Sequence, residues 1–264
     1  MTSNPVTVSL DTSATRVRSI LRDEDFRCIP VVNGGHLEGL ITRGDLLNIS
    51  TTKSNIEARG IMRRPKVILM PEMDIFGAGK ALLSALEIQA PVVESTTNLK
   101  LIGIVSIVDI LLGLLKANVE PQKKTLEEIY TPNVVSCDHQ DPISKVWNQM
   151  DDSGYSGLPV LKKGKLIGII TRKDLIKARH VSTGSETEHG KRSIKIEKLM
   201  KTPPLVGTAD MPVEEAADLM IKKDIGRLPV VKNPVFIKNE PYSSKESELV
   251  GIASREDILG SYIS

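Results

Sequence analysis

Residues 158–176 read LPVLKKGKLIGIITRKDLI, and this stretch decides how the rest of the chain is understood. Pro159-Val160-Leu161 is followed by a Gly/Lys turn and then by Gly168-Ile169-Ile170-Thr171-x-x-Asp174. The same pattern occurs three more times. Pro30-Val31-Val32 leads to Gly39-Leu40-Ile41-Thr42-x-x-Asp45, and Pro91-Val92-Val93 to Gly103-Ile104-Val105-Ser106-x-x-Asp109. Pro229-Val230-Val231 leads to Gly251-Ile252-Ala253-Ser254-x-x-Asp257. Self-similarity at a near-fixed period implies one supersecondary unit, duplicated and stacked.

The 264 residues suffice for one large domain or two ordinary ones. Apolar residues make up 40% but aromatics only 3%, so the core must be built from Ile, Leu, Val and Ala. So few rings argue against a platform for stacking nucleic-acid bases. A net charge of +2 gives no whole-chain attraction to DNA or to a membrane. Cys28 and Cys137 lie in apolar, strand-like segments and read as buried free thiols in a reducing compartment. No N-terminal signal pattern is present, and the most apolar run, 101–117, contains Asp109 and is too short to span a bilayer. The expectation is a soluble, cytoplasmic protein.

Each unit reads as β-α-β-β-α, with boundaries expected at 1–58, 59–118, 119–180 and 194–264 and a polar linker at 181–193. In the first, strands are expected at 6–10, 28–32 and 38–42, with Thr12 or Ser13 capping the first helix and Asn33-Gly34-Gly35 making the turn. The second has expected strands at 66–69, 90–94 and 101–106 and a helix over 75–86. In the third, a strand is expected at 134–137, and Asp141-Pro142 reads as a helix start with Asp as cap and Pro at the first helical position. The segment 179–193, with His180 and His189, reads as solvated. The segment 233–248 is an insertion where the other units have only a short turn, tolerated because closure entropy grows slowly with loop length. Units one and two, and units three and four, are expected to pair, since sequence neighbours usually pack together.

Thr42-x-x-Asp45, Ser106-x-x-Asp109, Thr171-x-x-Asp174 and Ser254-x-x-Asp257 each fit a helix capping box. They also stand where a strand gives way to a helix, a location that suits anions and polyhydroxyl ligands in α/β units. A carboxylate accepts from a ribose diol, and a hydroxyl donates to a phosphate or sugar oxygen. Arginine follows the hydroxyl in three units (Arg43, Arg172, Arg255), and Arg27 and Arg227 precede the Pro-Val strands. Arginine's planar fork matches phosphate, although a lone arginine is more often a solvated surface residue.

Four such motifs in β-α-β-β-α units resemble cystathionine-β-synthase (CBS) domains over residues 3–117 and 125–263. Paired as Bateman modules they are similar to the γ subunit of AMP-activated protein kinase, an α/β (α+β) fold forming a pseudo-symmetric disc. The resemblance implies clefts between paired repeats that hold adenine nucleotides (AMP, ADP or ATP) as regulatory ligands. One cleft would use Asp257 and Ser254 with Arg227, plus Thr131, Val135, Tyr155, Ser156 and Gly157, and Arg255 is counted among the ligand-binding residues. The related one would use Asp174, Thr171 and Arg172 with Thr202, Val206 and Gly226. In the first module Asp45, Thr42 and Arg43 would act with Gln89 and Ala90, and Asp109 and Ser106 with Arg27. Ile107 stands where the other units have arginine, so the Asp109 cleft is expected to lack one phosphate partner. Gly226 stands where the family often has histidine.

The expected function is a non-enzymatic sensor that signals to a partner protein or a second copy. Alternatives are an S-adenosylmethionine-binding module and a purely structural oligomerisation module. No constellation of a metal site, a nucleophile with its base, or a P-loop is present, so catalysis is not expected. Near-neutral charge without a helix-turn-helix signature argues against DNA as partner.

Overall fold

The computed structural model describes residues 1–24, 26–47, 56–175 and 194–263. The linker expected at 181–193, with His189, and His180 before it lie outside the described residues. The chain divides into two compact units, Met1–Val119 and Glu120–Tyr262, each holding two repeats.

Each repeat contributes a three-stranded sheet. In the second unit these are Cys137–Asp138, Gly157–Lys162 and Lys165–Thr171, and then Gly207–Thr208, Arg227–Lys232 and Glu248–Ser254. The short first strand runs parallel to the Pro-Val strand, which pairs antiparallel with the Gly-apolar strand. In the first unit Val8–Ser9, Cys28–Asn33 and His36–Thr42 form the first sheet in the same way. The second sheet orders Thr2–Ser3, Leu101–Ser106 and Gln89–Val93, so the chain start completes the sheet of the following repeat. The strand expected at 66–69 is reduced to one bridge, Leu69 to Val92. All four hairpins carry a register shift after the first valine of the Pro-Val pair, which bends the ribbon at the same point each time.

The repeats exchange their openings. Thr131 bridges to Ile252 of the fourth repeat, and Lys201 bridges back to Ile169 of the third. In the first unit Arg63 bridges to Leu40, and Thr2 pairs with Ile104. This reciprocity explains the recurring glycine. A Cβ at Gly39, Gly103, Gly168 or Gly251 would run into Met62, Met1, Met200 or Tyr130 of the partner repeat's opening. The cores are aliphatic, as expected from so few rings. One gathers Val17, Leu21, Ile29, Val31 and Ile41, and another Val146, Met150, Leu158, Ile170 and Ile196.

Two local expectations are corrected. Asp141 does not cap the helix Ile143–Ser153: its carboxylate accepts from Asp138 N–H and from Lys145, and extended Pro142 stands at the cap instead. The insertion is not a free loop. Phe236–Ile237 and Glu240–Ser244 form a hairpin tied to the fourth repeat, with Val206 N–H donating to Tyr242 O and Ser244 N–H to Pro204 O. Ser243 and Ser244 of this hairpin are buried, as is Ser247 just after it.

Candidate functional site

All four motifs close the capping box, and each does so with one carboxylate oxygen. Asp257 Oδ2 accepts from Ser254 N–H at 2.8 Å and from its hydroxyl at 2.7 Å, while Asp257 N–H donates to Ser254 Oγ at 3.1 Å. Thr42–Asp45, Ser106–Asp109 and Thr171–Asp174 repeat this arrangement. The structural and ligand-binding readings of the motif are therefore compatible, because the box itself uses only one of the two carboxylate oxygens. At Asp257 the other, Oδ1, has no protein partner among the described residues.

A cavity of about 180 Å³ opens beside that carboxylate. Its wall brings together Asp257, Ser254, Arg227 and Ile252 of the fourth repeat with Thr131, Asn133, Val134, Val135, Tyr155 and Gly157 of the third. Arg227 is held across it: Nη1 donates to Ser156 Oγ at 2.7 Å, and the guanidinium carbon lies 5.6 Å from the centre of the Tyr155 ring. Carboxylate, hydroxyls, a cation and apolar backbone thus converge on one space. Asn133, Val134 and Ile252 were not anticipated. Asn133 adopts a left-handed φ of 58°, which asparagine tolerates, and its place in Thr-Pro-Asn was the available signal. A larger depression of about 700 Å³ is lined by a single helix through Ser144, Lys145, Asn148, Gln149, Asp152 and Ser153, with no converging groups.

Three arginines expected on phosphate serve elsewhere, which corrects that expectation. Arg255 is 3% exposed, and its Nη2 donates to Met220 O at 3.0 Å and pairs with Asp224 at 2.9 Å. Arg172 donates to Met150 O and Tyr155 O and pairs with Asp151, and Arg43 donates to Leu21 O and Phe26 O. In each case the guanidinium caps carbonyls at the end of the repeat's first helix, groups that have no intrahelical partner. Ile107 is buried in the matching place, so the second repeat lacks a helix cap there rather than a phosphate ligand. Gly226 accepts the Arg255 N–H on its carbonyl and does not line the cavity.

The other clefts differ. Strand register sets Lys201, not Thr202, at the position of Thr131, and Thr202 donates to Ile167 O. Val206 is buried with its N–H on the hairpin. Asp174 and Thr171 stay half-buried. Asp109 Oδ1 accepts from the Met1 amino group at 3.1 Å. Burial opposes ionisation of Asp109, but the Ser106 hydroxyl and amide and the Met1 amine hold its carboxyl below the ordinary carboxylate range. Arg27 is exposed, three residues before Pro30 as Ser156 is before Pro159. Gln89 bonds the Cys28 thiol, which burial pushes up to about 11, and Ala90 is buried in its strand. Burial likewise raises the Cys137 thiol to about 12, and both cysteines are free. Among the described residues there is no cluster of metal-ligating side chains, and no helix is long and apolar enough to cross a membrane.

The family model for the CBS domain matches four times, at residues 1–51, 58–116, 126–181 and 196–264. The chain belongs to the CBS domain family. Its four CBS domains form two pairs. MJ1225 of Methanocaldococcus jannaschii, an uncharacterized protein, is 26% identical over 280 residues, covering 96% of this chain and 94% of that protein. Its crystal structure, described as that of a candidate archaeal homolog of g-AMPK, superposes with a TM-score of 0.79 at 24% identity over 98% of this chain and 96% of the other. A conserved protein of Pyrococcus horikoshii has the same fold, with a TM-score of 0.69, 23% identity, and 98% and 96% coverage. MJ1404 of M. jannaschii is 26% identical over 98% of this chain, which spans 60% of MJ1404's length.

Proposed function

We propose that this protein is a non-catalytic regulatory sensor whose principal ligand site is the Asp257 cleft, and that the ligand is an adenine nucleotide. The observation that carries this reading is the convergence on one cavity of a carboxylate with a free oxygen, Thr131, the held cation Arg227 and the aliphatic segment at Val134 and Val135. Asp257 Oδ1 would accept from ribose hydroxyls, and Ser254 and Thr131 would meet sugar or phosphate oxygens. Val135 and Ile252 would enclose the base, and Arg227 would turn its remaining donors to phosphate. Ser156 and Tyr155 position that arginine. The cavity is smaller than the roughly 300 Å³ at which drug-sized sites begin, so the phosphates would project at its open mouth.

The description of the MJ1225 structure as that of a candidate archaeal homolog of g-AMPK supports energy sensing, and we extend this reading to a partner protein or second copy that receives the message and to a cytoplasmic location. Micromolar affinity requires about −8 kcal/mol, within reach of a few charge-assisted bonds and a buried ring. Titration calorimetry with AMP, ADP, ATP, adenosine and S-adenosylmethionine tests this reading. Nucleotide binding that vanishes in Asp257→Ala supports it. Equal affinity in that variant removes the carboxylate from the account, and a preference for S-adenosylmethionine unaffected by Arg227→Ala would replace the ligand.

A further inference from the structure

The Asp45 cleft already holds a set of charges of its own. Arg63 bridges to Leu40 as Thr131 bridges to Ile252, so it occupies Thr131's position in this pair of repeats. Glu87 precedes Pro91 by four residues, as Tyr155 precedes Pro159, and so replaces the ring on which Arg227 rests. Arg63 Nε lies 3.6 Å from Asp45 Oδ2, and its Nη1 lies 3.2 Å from Glu87 Oε1. Lys66 Nζ reaches the same Glu87 oxygen at 3.2 Å. The Glu87 side chain is 16% exposed, against 38% for Arg63 and 54% for Lys66, so the acid is the inner member on which two cations converge.

We infer that Glu87 is a built-in anion that engages Arg63 and Lys66 across the Asp45 cleft and excludes nucleotide phosphate from it. A phosphate entering this groove would meet two carboxylates, and both cations able to offset its charge are already neutralised. Removing the Glu87 charge while keeping its shape frees both cations, and the groove then offers a nucleotide what Arg227 offers at Asp257. The inference rests on reading the motif clefts as nucleotide sites, and its test separates the two.

The experiment is calorimetric titration of the full chain with AMP, comparing wild type, Glu87→Gln and Glu87→Gln/Asp45→Ala. Expected is one additional site in E87Q, at least about tenfold tighter than any binding to the Asp45 cleft of wild type, and lost again in the double variant. Glu87→Ala, which also removes the charge, should show the same gain should E87Q melt early. An unchanged number of sites in both variants overturns the inference, as does a wild-type protein that loses a site on Asp45→Ala. A site gained in E87Q while Asp257→Ala changes nothing in wild type would sustain this inference and sink the Asp257 reading.

Discussion

The clefts at Asp257 and at Asp45 are built on the same chain positions and differ only in what stands on them. Both place a Ser/Thr-x-x-Asp box at the end of a strand, and both receive the opening of the partner repeat across it. At Asp257 that opening brings Thr131, Asn133 and Val135, and a free carboxylate oxygen faces a cavity. At Asp45 it brings Arg63 and Lys66, which meet Glu87. The repeated backbone therefore sets the same positions at both clefts, and in the proposed reading the three or four side chains that stand on them admit or exclude a ligand.

Several experiments would break or sharpen that contrast. The largest expected effect is that of Asp257→Ala on nucleotide affinity. Losing two charge-assisted hydrogen bonds to ribose should weaken binding by roughly 100-fold, read by calorimetry, together with a modest drop in melting temperature because Ser254 N–H loses its capping-box acceptor. Arg255→Ala should do the reverse. Its guanidinium caps Met220 O from a buried position, so unfolding by urea should show a loss of about 2 kcal/mol while ligand affinity at the remaining fold stays near wild type. Arg227→Ala should cost about tenfold in affinity for AMP and leave adenosine unaffected, because only phosphate uses that cation. The smallest effect concerns acid. Asp109 has a lowered carboxyl pKa in the folded chain, so its contribution to stability is complete above the unfolded value and is lost as pH falls through the folded one. Denaturation measured across the acid range should show a shallower decline in Asp109→Asn.

Much of this was legible in the sequence because repetition supplied its own controls. Four Pro-Val strands and four capping boxes gave the hairpins and their pairing, and the expected strand over 101–106 matches Leu101–Ser106. Thr131, Val135, Tyr155, Gly157, Arg227, Ser254 and Asp257 all meet at one cavity. The arginines after the hydroxyl are not legible in this way, because sequence gives their adjacency to the motif but not the direction of a long side chain. The backbone turns them toward the preceding helix end. Lys201 was overlooked because the recurring Thr-Pro pair is offset by one residue between the third and fourth repeats, and strand register, not the dipeptide, fixes the position. Arg63, Lys66 and Glu87 leave no signal in the sequence for a related reason: Arg63 and Glu87 are 24 positions apart, and only tertiary pairing makes them neighbours. The insertion reads as a loop in sequence because its pairing partners, Pro204 and Val206, lie 40 and 36 residues upstream of Ser244 and Tyr242.

The most direct test of the central claim is the number of AMP molecules bound by wild type, Asp257→Ala and Asp45→Ala, measured by calorimetry on the same preparation. The account predicts that Asp257→Ala removes a site and Asp45→Ala removes none. A site lost with Asp45 and retained without Asp257 would contradict it.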